Sequence, residues 1–175
     1  MKKLLFTAVL FMGFLFVHLP FASAAENDEP DHWLWITATD ELALFFDTTT
    51  IQYDRHQTFH GSAMDKNIIR FYLEVEYSDK AIEKIVATMK SHGYPHGAWE
   101  NLSCAIAYMM LDVEKQLFHP EYVTFYTADG TALVSWRGSV CNWQAFLPGT
   151  RGETVYEVIT SYAADHDEEL TQRSD

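Results

Sequence analysis

Basic residues are scarce in this chain. Its 12 Lys and Arg stand against 25 Asp and Glu, a formal net charge of −13 at pH 7. A surface of that sign repels phosphate backbones and anionic lipid headgroups, which argues against nucleic-acid binding. Cysteine is nearly absent too: only Cys104 and Cys141 occur. Their spacing makes neither a Cys-x-x-Cys redox pair nor a zinc pattern. No Gly-rich loop is present to cradle a phosphate. Gly138-Ser139 lacks the G-x-S-x-G frame of a nucleophile elbow, and no H-E-x-x-H pair occurs. Internal repeats and low-complexity tracts are also missing.

The first segment does carry a signal. Lys2 and Lys3 precede an apolar run, Leu4 to Leu19, broken only by Thr7, Gly13 and His18. Pro20 ends it, and Ala22-Ser23-Ala24 supplies small residues for cleavage. The run is short for a membrane span, which takes about 20 apolar residues. Residues 1–24 therefore read as a secretory signal peptide, and the product is expected to be periplasmic, cell-surface or secreted. No cysteine sits at the cleavage site, so no lipid anchor is expected. Residues 25–31 read as a flexible leader, 32–164 as one domain and 165–175 as a polar tail with little to bury. In an oxidising compartment Cys104 and Cys141 are most simply a disulfide, worth roughly 3–4 kcal/mol by chain entropy.

Periodicity gives the elements. Trp33 to Thr37 and Leu42 to Asp47 are β-rich and form a hairpin around Thr37 to Glu41. Asp54 to Lys66 is polar and reads as a loop. From Asn67 to Tyr77, apolar Ile69, Phe71, Leu73 and Val75 alternate with polar positions, the mark of a half-buried strand. Ser78 is a suitable N-cap for a helix carrying Ile82, Ile85, Val86 and Met89. Leu102 to Val113 reads as a strand, although nothing in it forbids a helix. Asp129-Gly130, between two β-rich runs, is a hairpin turn. Thr150 and Glu153 form a capping box for a last helix with Val155, Val158, Ile159 and Tyr162 on one face. The sum is an α+β fold: an antiparallel β-sheet of about six strands with two helices, one of them C-terminal.

Candidates for chemistry are few. His56 and His60 are four apart, as are His92 and His96, but both pairs fall in expected loops. A metal-handling protein or hydrolase built on these histidines and on carboxylates such as Glu74 and Glu76 is the alternative reading. No metal, cofactor or catalytic residue is assigned from the sequence. Trp33, Trp35, Trp99, Trp136 and Trp143 are expected mostly to fill the core. Any that stay exposed would mark a binding surface.

The ordered features resemble the bacterial surface-adhesin protein E-like domain family. They are Trp33-Leu34-Trp35-Ile36, then Phe45-Phe46-Asp47-Thr48-Thr49-Thr50-Ile51, and the alternating strand Ile68 to Tyr77. Next come Phe125 to Gly130, and last Trp143-x-x-Phe146-x-Pro148-Gly149-Thr150 running into a helix. The resemblance covers residues 33 to 162. It implies an exported, non-enzymatic α+β domain that binds protein partners, of the host or the envelope, and assigns no binding residue. The family's namesake is lipid-anchored, and this chain lacks that signal.

Overall fold

The computed structural model describes residues 32–59, 61–138 and 143–175. The expected signal peptide and leader, His60, Ser139 and Cys141 lie outside the described residues.

The expected first hairpin forms from β1 (Trp33–Ala38) and β2 (Leu42–Asp47). Thr39 Oγ1 accepts from the Glu41 and Leu42 amides at 3.2 Å and closes its turn. Asp47 ends β2. Its carboxylate accepts from the Thr49 amide at 2.8 Å and the Thr49 hydroxyl at 2.6 Å, which turns the chain through the Thr-rich step.

The segment expected as a loop, Asp54 to Lys66, is instead a second hairpin, between β3 (Gln52–Thr58) and the long β4 (Gly61–Tyr77). The reason is positional. β5 pairs with β4 only from Ile68 onward, so the earlier part of β4 and all but the start of β3 project as a ribbon beyond the sheet. Its residues are mostly polar and exposed or half-buried, and it shows no apolar alternation.

α1 (Asp79–Ser91) starts as expected, with Ser78 Oγ accepting from the Ala81 amide at 3.4 Å. A 3-10 turn, Gly97–Asn101, buries Trp99 against Phe125. β5 (Leu102–Asp112) is the strand that the sequence left ambiguous. β6 (Leu117–Thr127) and β7 (Ala132–Arg137) flank the Asp129-Gly130 turn, where Gly130 takes φ of 80°. β8 (Gln144–Ala145) leads to α2 (Arg151–Asp165) and α3 (Asp167–Ser174).

The sheet runs β1-β2-β4-β5-β6-β7, antiparallel throughout, with β3 added to β4 and β8 to β6. This is the expected α+β architecture. Leu44, Phe46, Phe71, Leu73 and Leu111 point to one face of the sheet and form the core with Val155, Ile159, Ala163 and Leu170 of the last two helices.

Two local expectations change. Thr150 is the N-cap of α2, but its side chain makes no cap bond: the hydroxyl donates to Leu147 O at 2.6 Å. Glu153 accepts from the Gly149 amide at 2.7 Å, one residue earlier than a capping box requires. The polar tail does not fray. Its one aliphatic large residue, Leu170, is fully buried, and Ser174 Oγ accepts from the Tyr53 amide at 2.9 Å. Arg173 donates to the Thr48 and Ile51 carbonyls at 2.7 and 2.9 Å. One apolar anchor and backbone acceptors left at the β2–β3 junction help to seat α3.

Candidate functional site

The sheet has two chemically distinct faces, and each builds a candidate site. On the outer face, strand register lines up aromatic side chains. Tyr72, Tyr108, Tyr122 and Arg137 are successive cross-strand partners on β4, β5, β6 and β7. Tyr72 and Tyr122 are 39% and 41% exposed. The Arg137 guanidinium lies 5.0 Å from the Tyr122 ring centroid and the Arg70 guanidinium 5.9 Å from that of Tyr108. Arg70 is itself held by Asp54 at 2.5 Å and Glu121 at 2.9 Å, which ties β3, β4 and β6 together behind the row. The next row carries Trp35, Phe45 and Glu74. Trp35 is 47% exposed. Only Trp99 of the five tryptophans is buried, so the expectation that most fill the core is corrected. Trp35 lies on β1, the edge strand of the sheet among the described residues.

Cys104 sits one row further on, between Glu76 of β4 and Tyr126 of β6. Burial pushes its thiol up to about 11, and the Glu74 and Glu76 carboxylates push the same way. Cys104 is unpaired among the described residues. Such a thiol is a poor nucleophile.

The described histidines do not converge. His56 is exposed on β3. His92 Nδ1 bonds Thr88 O at 2.8 Å and His96 Nδ1 bonds Tyr94 O at 3.1 Å, each closing a local turn. His119 is buried beside Trp143, at a ring-centroid distance of 5.6 Å. His166 stacks on Tyr162 at 4.0 Å. Among the described residues no group of three or more His, Cys, Asp or Glu could hold a metal ion. No helix among them is long and apolar enough to cross a membrane.

The inner face holds the second site, a cavity of about 300 Å³ over β4, β5 and β6, roofed by the segment from Gln144 to Val155. Two small residues open it. Ala105 lies between Val75 and Phe125, and Ala107 between Leu73 and Val123. A larger residue at either position would fill the space. The walls are almost wholly apolar. The polar side chains among them are Tyr77, Gln144 and Thr150. Leu147, 55% exposed, stands at the rim.

Sequence reading missed both arrangements. The alternation of Tyr72 with charged residues marked a wet face, but the facing of Tyr72, Tyr108 and Tyr122 depends on register between three strands. The two alanines of β5 were visible as small residues, yet only the fold shows that they lie beneath the cavity. No protein-family model, no curated protein and no solved structure matches this chain.

Proposed function

We propose that the chain is an exported binding module of the surface-adhesin E-like kind, which engages a protein partner through the outer face of its sheet. The observation that carries this reading is the exposed row Tyr72–Tyr108–Tyr122–Arg137 beside Trp35. Rigid aromatic side chains on a sheet lose little entropy on contact and act as anchors in protein interfaces. Glu74 and Glu76 flank them on β4, and the net charge of −13 favours a partner with a basic contact surface. Tyr72 and Tyr122 are supported from below by paired strands, so the surface needs no reorganisation to bind.

The test is capture of envelope and extracellular proteins by the purified chain, beside the double variant Tyr72→Ala, Tyr122→Ala. The expected result is one or more partners held by the parent and lost from a folded variant. Equal capture by both, or none by the parent, would remove the reading.

A further inference from the structure

The inner cavity is independent of the outer face, and its chemistry selects a different class of ligand. We propose that it binds one long-chain fatty acid, with the hydrocarbon lying along β5 and the carboxylate at the rim, by the start of α2.

Shape comes first. The β5 wall runs from Ala105 to Leu111, seven residues or about 20 Å of strand. The volume of about 300 Å³ is at the lower end for small-molecule sites. A trough that long and that small in volume is narrow, which fits one extended chain and leaves no room for two. Lining chemistry comes second. A buried water needs two to four polar partners. Ala105, Ala107, Met109 and Leu111 of β5 offer none, whereas an alkyl chain needs none.

The rim supplies the polar end. Thr150, Gly152 and Val155 of the first turns of α2 line the cavity. Thr150 spends its hydroxyl on Leu147 O, so it does not give α2 the usual side-chain acceptor. The start of a 15-residue helix favours a carboxylate by both dipole and amide direction. Glu153, in the same turn, is bonded back to the Gly149 amide.

The experiment titrates the purified chain with cis-parinaric acid, a fluorescent long-chain fatty acid, and then displaces it with palmitate. Saturable binding of one probe per chain, reversed by palmitate, is expected. Ala107→Phe should weaken it at least tenfold by filling the trough. Because that variant can fail to fold, Leu147→Asp at the exposed rim is measured beside it and should weaken binding several-fold with the melting temperature unchanged. No saturable binding, or binding indifferent to both variants, overturns the proposal. So does loss of probe binding in the Tyr72→Ala, Tyr122→Ala protein, because that would place the probe on the outer face. Failure of partner capture leaves this result untouched, and the two proposals are thus separately decided.

Discussion

Tyr72 and Tyr108 face each other directly across β4 and β5, with ring centroids 4.9 Å apart and planes inclined by 41°. The tilted geometry is favourable for aromatic quadrupoles, and Arg70 adds its charge to the Tyr108 ring. A double-mutant cycle with Tyr72→Ala and Tyr108→Ala, followed by urea unfolding, should give a coupling of about 0.5–1.5 kcal/mol. Tyr108→Ala alone should cost more than Tyr72→Ala, since Tyr108 is the less exposed ring and lies on a central strand. Zero coupling would mean that the row is a set of independent side chains.

The Cys104 thiol, pushed up to about 11 by burial and then by Glu74 and Glu76, should alkylate slowly. At pH 8 roughly a thousandth of it is thiolate, far below an unperturbed cysteine. Glu74→Gln and Glu76→Gln should each speed labelling by iodoacetamide in the folded protein. An unchanged rate in both variants would leave burial as the whole cause. The same reagent counts thiols. Alkylation after unfolding without reductant should leave both cysteines unlabelled, with a mass two hydrogens short, if Cys104 and Cys141 form the disulfide expected from the sequence. Two labels would remove that expectation.

Asp167, at the start of α3, makes the docking of that helix depend on pH. Its carboxyl is held below the usual range by the Lys66 ammonium, at 2.7 Å, and by the Tyr53 hydroxyl, also at 2.7 Å. Burial, then the Asp167 bond, pushes Tyr53 up to about 12. The carboxyl's folded value lies below its unfolded one, so its contribution is complete above about pH 4 and disappears as pH falls through the folded value. Tyr53 has the opposite sign. Its contribution is complete below about pH 10 and is lost as pH rises toward 12. Hydrogen exchange should show α3 protected between those limits and opening first on the acid side. In Asp167→Asn the acid opening should vanish, with lower protection at neutral pH. Acid opening that persists in the variant would assign it to other carboxylates.

The sheet was legible because its strands are half buried. Ile69, Phe71, Leu73 and Val75 repeat every second residue, and Asp129-Gly130 announces its turn. The β3–β4 ribbon was not legible, because its mostly polar residues carry no apolar alternation. Thr150 and Glu153 have the right types and spacing for a capping box, but Leu147 O competes for the hydroxyl. Neither candidate site was readable as a site. The outer row needs the registers of four strands, and the cavity depends on how the segment from Gln144 to Val155 packs over Ala105 and Ala107.

Leu170 tests how much one residue holds in a segment that otherwise reads as a tail. The eight residues of α3 have a mean composition too polar to fold alone, and a helix that short is marginal in water. Its seat therefore rests on the buried Leu170 side chain, on the bonds of Asp167 to Lys66 and Tyr53, and on bonds between Arg173 and Ser174 and the β2–β3 region. Leu170→Ala should cost about 2–5 kcal/mol if the cavity it leaves does not collapse. Collapse is easy here, because α3 can lift off rather than stay over a void. The expected loss is thus at the low end, about 2 kcal/mol, with proteolysis appearing between Asp165 and Ser174 while β4 to β6 stay protected. Arg173→Gln should give a smaller loss with the same proteolytic pattern, since it removes bonds and leaves the apolar anchor. If Leu170→Ala instead unfolds the whole chain in one step without prior cleavage, α3 belongs to the cooperative core and the sheet does not stand without it.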